Sequence, residues 1–195
     1  MKGSDQVKEA AARYPSGKTR LTYEDYRQLP AGLRYELVEG DLRMMSSPGT
    51  RHQEISKRLL GLFLEQIEKK GLGKVYQAPY DVILSEHNVV QPDLLFVSRD
   101  RLGIITPENV QGAPDLVVEI LSESTQRWDR ETKRRIYARY GVREMWIVDP
   151  AAEIVEVAAH NVDNLVTAGI YGPGTDVSSP LLPQIKLNPA DLLRA

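Results

Sequence analysis

The segment Asp115–Leu121 (DLVVEIL) constrains the fold more than any other part of the sequence. A nearly continuous apolar run of this length is typical of a central strand that is covered on both faces. Side chains alternate along a strand, so Glu119 shares a face with Asp115 and Leu121 and points from the middle of a buried element. A buried carboxylate needs a cationic partner, a proton or a metal ion. The pattern therefore leaves two interpretations open, a structural salt bridge and a functional acid.

Helical and strand-like patterns on both sides of this segment indicate a mixed α/β fold. Apolar residues at helical spacing predict a helix over residues 52–70, and a second helix is predicted from about Thr125 to Tyr140. The strand-like runs are Lys74–Leu84, Asp93–Val97, Asp115–Leu121 and Glu144–Val148. The order helix, three strands, helix, strand predicts an α+β arrangement, a mixed sheet with helices packed on it.

Further elements flank this predicted core. Residues 35–44 predict an N-terminal hairpin around Gly40, and Thr22 with Asp25 predicts a capping box that begins a short helix. The elements expected after the core are two extra strands and a closing helix, over Glu153–Ala158, Leu165–Tyr171 and Pro189–Leu193. The length of 195 residues fits one domain over residues 21–195, preceded by a flexible extension over residues 1–20.

The composition excludes several classes of protein and site. The sequence contains no cysteine, which excludes disulfides, thiolate zinc sites and a cysteine nucleophile and suits a cytoplasmic location. No apolar run approaches the roughly 20 residues of a membrane span, and the polar N-terminus lacks the apolar core of a signal peptide. Because the formal net charge is −2, any contact with nucleic acid has to come from a local basic patch.

The second predicted helix places charged residues on the face that should pack against the sheet. At about 100° per residue, this face groups Thr132, Ile136, Tyr140, Asp129 and Lys133. An aspartate and a lysine four residues apart usually form a solvated salt bridge, but the inner position of this pair argues against that interpretation. Lys133 could instead extend along the sheet edge.

At that edge Lys133 could meet Glu119 and Asp93, which opens a strand directly after Pro92. Asp93 considered alone is better explained as a turn residue. Together, two carboxylates and a lysine form a minimal hydrolytic site. The carboxylates can hold Mg²⁺, with Mn²⁺ as a substitute, and the metal can activate a water molecule. The lysine can orient that water or stabilise developing negative charge.

Several motifs resemble the Uma-two family of restriction endonuclease-like proteins. The principal ones are QPDLLFV from residue 91, GAPDLVVEILS from residue 112 and WIVDP from residue 146. Further matches are YELVEG from residue 35, HQ at residue 52 and YARYGV from residue 137. The resemblance extends from about Thr22 to the C-terminus.

This family is similar to the PD-(D/E)XK nucleases, so the resemblance implies a restriction-endonuclease-like αβββαβ core and a Mg²⁺-dependent DNA endonuclease. It identifies Asp93 as the motif aspartate, Glu119 as the motif acid and Glu36 as an additional carboxylate. The superfamily lysine normally follows the acid by two residues, where this chain has Leu121. The matching lysine here is Lys133, supplied by the following helix.

The literal motif spacing also produces a false match, because Glu131 and Lys133 imitate the acid and lysine of the motif. Two residues apart on a helix, their side chains point about 200° apart and cannot converge. We therefore reject Glu131. Asp115, two positions before Glu119 along the same face of the strand, is expected to be a support residue, as is Asp129.

Two weaker signals remain. His52 begins the first long helix and would more often be a hydrogen-bonded helix-start residue than a ligand, and the family match adds a place beside the site as the alternative. The second helix is rich in arginine, and Arg130 and Arg134 are candidate phosphate contacts rather than merely solubilising residues.

Three functions are compatible with these observations. The leading one is a Mg²⁺-dependent DNA endonuclease that hydrolyses phosphodiester bonds. The first alternative is a catalytically weak or inactive nucleic-acid-binding module on the same fold, and the second is an enzyme acting on another phosphate-containing substrate. A homodimer is expected for an enzyme that cuts both strands of a duplex.

Overall fold

The computed structural model describes residues 20–30, 32–123 and 125–194. The flexible extension predicted for residues 1–20 lies, apart from Arg20, outside the described residues. Among the residues described, none of the helices combines the length and the apolar character that a membrane crossing demands.

The described chain forms four α-helices and three other helical turns. The α-helices are α1 (Tyr23–Tyr26), α2 (Thr50–Phe63), α3 (Arg134–Arg139) and α4 (Pro189–Leu193). A π-helical turn over Leu64–Glu68 extends α2, and a second π-helical turn over Trp128–Lys133 precedes α3. A 3₁₀ helix spans Arg99–Ile104. In α1 the predicted capping box is present, since the Asp25 carboxylate accepts hydrogen bonds from the backbone N–H and hydroxyl of Thr22.

Eleven strands in the described ranges form two sheets. The smaller sheet has the order β2-β1-β5-β4-β7, with β1 (Tyr35–Val38), β2 (Asp41–Met44), β4 (Val82–Ser85), β5 (Asn88–Val90) and β7 (Val110–Gln111). The larger has the order β11-β10-β9-β8-β6-β3, with β3 (Gly73–Gln77), β6 (Leu94–Ser98), β8 (Leu116–Ile120), β9 (Glu144–Asp149), β10 (Ile154–Asn161) and β11 (Asn164–Tyr171).

Strand β8 lies inside the larger sheet, antiparallel to β6 and parallel to β9. Its side chains alternate between two apolar clusters. Leu116, Val118 and Ile120 belong to the cluster that contains the inner face of α2, which we call the α2 core. Val117 and Leu121 belong to the cluster that contains α3 and part of the smaller sheet, which we call the α3 core. The prediction of a strand covered on both faces is therefore confirmed.

Helix α2 packs through residues that recur every four positions. Ile55, Leu59, Phe63 and Ile67 are all buried, because this spacing keeps them on one stripe of the helix. The C-terminal tail covers another side of the α2 core, with Val177, Leu182, Ile185 and Leu187 buried in it. Arg58 of α2 fixes the end of the tail by donating hydrogen bonds to the carbonyls of Leu192 (2.9 Å) and Arg194 (2.6 Å).

The prediction of one strand over Lys74–Leu84 is wrong. The segment forms β3 and β4, which belong to different sheets, and Pro79 lies between them without an N–H for a strand ladder. The short strands β5 and β7 were not predicted, since two or three residues carry no readable alternation. The predicted helix from Thr125 to Tyr140 contains the π-helical turn before α3.

Candidate active site

The register between β6 and β8 brings the two predicted carboxylates together. Leu94 pairs with Val118 in an antiparallel ladder, so Asp93 and Glu119, one residue beyond each partner, lie across from each other. Both line a cavity of about 180 Å³. The other side chains of this cavity that bear on its chemistry are His52 at the start of α2 and Asp129 and Lys133 of the π-helical turn.

Asp93 is held through one of its two oxygens. Its Oδ2 atom accepts a hydrogen bond from the Ile120 backbone N–H (2.8 Å) and lies 3.1 Å from His52 Nε2. A strand neighbour and the first turn of α2 thus fix the carboxylate. Within the described part of the chain, no donor is bonded to Oδ1. His52 Nδ1 is buried and has no hydrogen-bond partner among the residues that the structure describes.

Glu119 is held in the same way. Its Oε1 atom accepts hydrogen bonds from Lys133 Nζ (2.9 Å) and from the Tyr137 hydroxyl (2.6 Å). Both donors come from the helical segment that follows β8. Among the described residues, Oε2 receives no hydrogen bond. Each of the two carboxylates therefore has one saturated oxygen and one oxygen available to the cavity.

Lys133 links Glu119 to a further carboxylate, Glu36 of β1. The Nζ atom lies 2.8 Å from Glu36 Oε1 and 3.7 Å from Asp129 Oδ1. Glu36 Oε1 also accepts a hydrogen bond from the Gln91 backbone N–H at 2.9 Å. Lys133 is 1% exposed and Glu36 is fully buried. The smaller sheet thus supplies a carboxylate that holds the lysine from the side opposite Glu119.

The cluster has more carboxylates than cations. Burial, together with the neighbouring carboxylates, raises the pKa of Glu119 well above its ordinary value even though Lys133 opposes the shift. Burial likewise raises the pKa of Asp129. Burial alone would lower the pKa of Lys133, but Glu119, Glu36 and Asp129 outweigh it and hold the pKa well above the usual lysine value. The lysine is therefore charged, and an additional cation would stabilise the ionised forms of Glu119 and Asp129.

The carboxylate oxygens of Asp93 and Glu119 are donors of the kind that a hard divalent cation such as Mg²⁺ takes. Mg²⁺ is commonly bound through one or two carboxylates with water completing the shell. In residues 20–30, 32–123 and 125–194, no three His, Asp or Glu side chains are grouped so as to hold a metal ion, so the protein would contribute two carboxylates rather than a closed cage. Their oxygens available to the cavity and the excess of carboxylates over cations are the features that fit.

A family model matches residues 23–190 of this chain. The chain belongs to the Uma2 family. Uma2 is described as a family of the type "Putative restriction endonuclease". The resemblance predicted from the sequence motifs is confirmed.

The Uma2 chain also shares its fold with a crystal structure described as a "putative nuclease belonging to DUF820" from Anabaena variabilis ATCC 29413. The TM-score is 0.75 and the sequence identity 18%, and the match covers 89% of the Uma2 chain and 97% of the other. None of the curated proteins matches the chain. The family description and the shared fold confirm the predicted restriction-endonuclease-like fold class.

Asp115, predicted as a support residue, lies outside the cavity that Asp93 and Glu119 line. It accepts a hydrogen bond from the Ser98 backbone N–H and pairs with Arg101 (3.0 Å) and Arg143 (3.2 Å). These contacts hold the pKa of its carboxyl below the ordinary value despite burial. The structure thus gives Asp115 a role in joining loops to the start of β8.

Arg130 and Arg134 are likewise engaged away from the cavity. Both bind Glu156 of β10, at 2.8 Å and 2.7 Å, and Arg130 also binds Asp149 at 3.0 Å. Their guanidinium groups are therefore not free to meet a phosphate in this arrangement. The rejected Glu131 pairs with Arg127 at the surface.

Sequence reasoning missed Tyr137, and it predicted the inner face of this helix only in part. The buried residues of this segment are Asp129, Lys133, Ile136, Tyr137 and Ala138, whereas Thr132 and Tyr140 are only half-buried. The π-helical turn is wider than an α-helical one, so positions after Lys133 are rotated from those predicted at 100° per residue. The spacing of four residues from Lys133 to Tyr137 is the signal that could have found it.

Proposed function

We propose that this Uma2 protein is a Mg²⁺-dependent DNA endonuclease that hydrolyses phosphodiester bonds. The observation that carries the proposal is the matched pair of carboxylates. Asp93 and Glu119 face one cavity, and each has one oxygen fixed by two partners and a second oxygen that receives no hydrogen bond from the described residues. Such preorganised single-oxygen donors suit a hard divalent cation.

The bound ion would supply an activated water molecule and neutralise charge on the phosphoryl group. Asp93 and Glu119 would hold it, and the chain's other residues prepare them. His52 and the Ile120 N–H orient Asp93, while Lys133 fixes Glu119 and offsets part of the negative charge that would repel a phosphate. Glu36 keeps Lys133 in place and charged.

DNA contact is proposed to come from the cavity rim rather than from a general positive field, since the net charge is −2. Arg34 and the segment 45–49 line the cavity. Arg34 Nε donates to Gln91 Oε1 at 3.0 Å, which anchors a guanidinium group near the two carboxylates. Assembly as a homodimer would place two such cavities on one duplex.

A second function, a nucleic-acid-binding module without catalysis, is favoured by the burial of Lys133. Its ammonium group is bonded to Glu119 and Glu36 and is 1% exposed. In this arrangement the lysine cannot itself contact a phosphate. Cleavage therefore requires that the carboxylates and the metal suffice, or that DNA binding rearranges the lysine.

The deciding experiment combines a plasmid-nicking assay with calorimetric titration of Mg²⁺ and Mn²⁺. The Asp93→Asn variant removes the charge of one ligand and keeps its shape, and Asp163→Asn at an exposed position serves as the matched control. Binding and nicking that are lost only in Asp93→Asn support the nuclease. DNA binding without nicking supports the binding module, and absence of metal binding in the wild type, with DNA present, refutes the catalytic proposal.

A further inference from the structure

Tyr137 is a fully buried tyrosine whose hydroxyl group donates a hydrogen bond to one carboxylate oxygen. Its hydroxyl lies 2.6 Å from Glu119 Oε1, and the side chain is 0% exposed. A buried phenol needs a hydrogen-bond partner, and here the partner is a residue proposed to bind the metal ion. The contact therefore influences how Glu119 can present its charge.

A second donor to the same oxygen determines which oxygen of the Glu119 carboxylate can bind a cation. Lys133 Nζ also donates to Glu119 Oε1, at 2.9 Å. A carboxylate oxygen has about two lone-pair positions, so Oε1 has no position left for a cation. Oε2 has no donor among the residues that the structure describes.

We propose that Tyr137 is a positioning residue that, together with Lys133, confines Glu119 to binding a cation through Oε2 alone, and that it thereby makes the site prefer Mg²⁺ over Ca²⁺. The inference rests on the proposed function, in which Glu119 is a metal ligand. It deepens that function by assigning the choice of ion to a residue outside the ligand set.

The chemical basis is the different demand of the two ions. Ca²⁺ takes six to eight oxygen ligands and often uses both oxygens of one carboxylate, whereas Mg²⁺ requires a compact octahedron of single oxygens. A carboxylate with one oxygen occupied by a phenol and an ammonium group therefore suits Mg²⁺ better than Ca²⁺. Asp93 is restricted in the same way by His52 and the Ile120 N–H.

The test compares Mg²⁺ and Ca²⁺ binding to the full chain by calorimetry at one pH. Tyr137→Phe removes only the hydroxyl group. The control is Tyr140→Phe, because the hydroxyl group of Tyr140 contacts Ser85 and Asn88 instead. The ratio of the Ca²⁺ Kd to the Mg²⁺ Kd is expected to fall about tenfold in Tyr137→Phe, the usual lower bound for loss of a ligand's supporting partner, and to stay unchanged in Tyr140→Phe.

A merely structural role for Tyr137 would weaken both ions equally, so an unchanged ratio overturns the inference while leaving the proposed function intact. A wild type that binds neither ion overturns both. Infrared spectra of the wild type give a measurement that needs no folded Tyr137 variant, with Glu119→Gln identifying the Glu119 carboxylate band. One-oxygen binding of Mg²⁺ supports the inference, and two-oxygen binding overturns it.

Discussion

The Nζ atom of Lys133 lies 2.9 Å from Glu119 Oε1, although Glu119 belongs to strand β8 and Lys133 to the π-helical turn that follows it. In the PD-(D/E)XK pattern the lysine follows the acid on the same strand, a position occupied here by Leu121, which is buried in the α3 core. With the cation on the π-helical turn, the position two residues after Glu119 is left to an apolar side chain. This location also places the ammonium group between Glu119 and Glu36, so that one lysine joins the two sheets.

Replacing Lys133 should show how much this lysine contributes to the free energy of unfolding. Lys133→Met leaves Glu36, Glu119 and Asp129 buried without their cation, and the free energy of unfolding is expected to fall by about 3–5 kcal/mol. Urea denaturation without metal measures this change. Arg135→Met, which breaks a surface pair with Glu39, should cost less than about 1 kcal/mol. Equal losses in the two variants would contradict the assigned importance of Lys133.

Stability without metal should decrease as pH rises above the ordinary glutamate value of 4.5. Because burial raises the pKa of Glu119 in the folded state, the folded protein keeps this proton after the unfolded chain has released it. The free energy of unfolding then falls with increasing pH until the folded pKa is passed. Denaturation of wild type and Glu119→Gln across this range should show a weaker decline in the variant. A parallel pair of curves would argue against the shift.

Glu156 should show the opposite pH dependence. Burial raises its pKa, but hydrogen bonds from Thr167 and Arg134 outweigh it and hold the pKa below the ordinary value of 4.5. Its contribution is therefore present above pH 4.5 and is lost as pH falls through the lower folded pKa. Glu156→Gln is expected to lose about 2 kcal/mol at neutral pH, as for a hydrogen bond to a charged group, and little in acid.

The same variant separates a structural role of this ion network from a role in DNA binding. Plasmid nicking and DNA affinity of Glu156→Gln should match the wild type at temperatures where both are folded. A large change in DNA affinity would indicate that Arg130 and Arg134, once released from Glu156, contact phosphates.

His52 should affect metal binding through Asp93. His52→Leu removes the ring nitrogen beside Asp93 Oδ2, and the affinity for Mg²⁺ is expected to fall at least about tenfold. Calorimetry measures the change, with His160→Leu as the control, since His160 is exposed and faces the Ala138 carbonyl instead. A loss of affinity in both variants would point to a general destabilisation.

The positions of the site residues could be predicted from the sequence where the residue lies within one strand-like or helical pattern. The apolar run of β8 identified Glu119 as a buried carboxylate. The strand-like run that begins at Asp93 likewise placed this residue at the start of a strand, and it directly precedes β6 in the structure. The contact of Lys133 with Glu119 agrees with the inner-face position predicted for this lysine.

The remaining parts depend on tertiary geometry that no local pattern encodes. Glu36 reaches Lys133 because β1 joins a second sheet through the three-residue strand β5, and the resemblance alone identified it. Tyr137 was missed because the π-helical turn rotates the segment after Lys133. The partners of Arg130 and Arg134 lie on β9 and β10, far along the chain.

The contribution of the tail to the α2 core has a consequence for synthesis on the ribosome. Val177, Leu182, Ile185, Leu187, Leu192 and Leu193 all pack against residues that are translated much earlier. A nascent chain stalled after β11 would hold every proposed catalytic residue and still lack one wall of its apolar interior. We expect such intermediates to bind chaperones, and the native state to be reached only after residues 177–193 have left the exit tunnel.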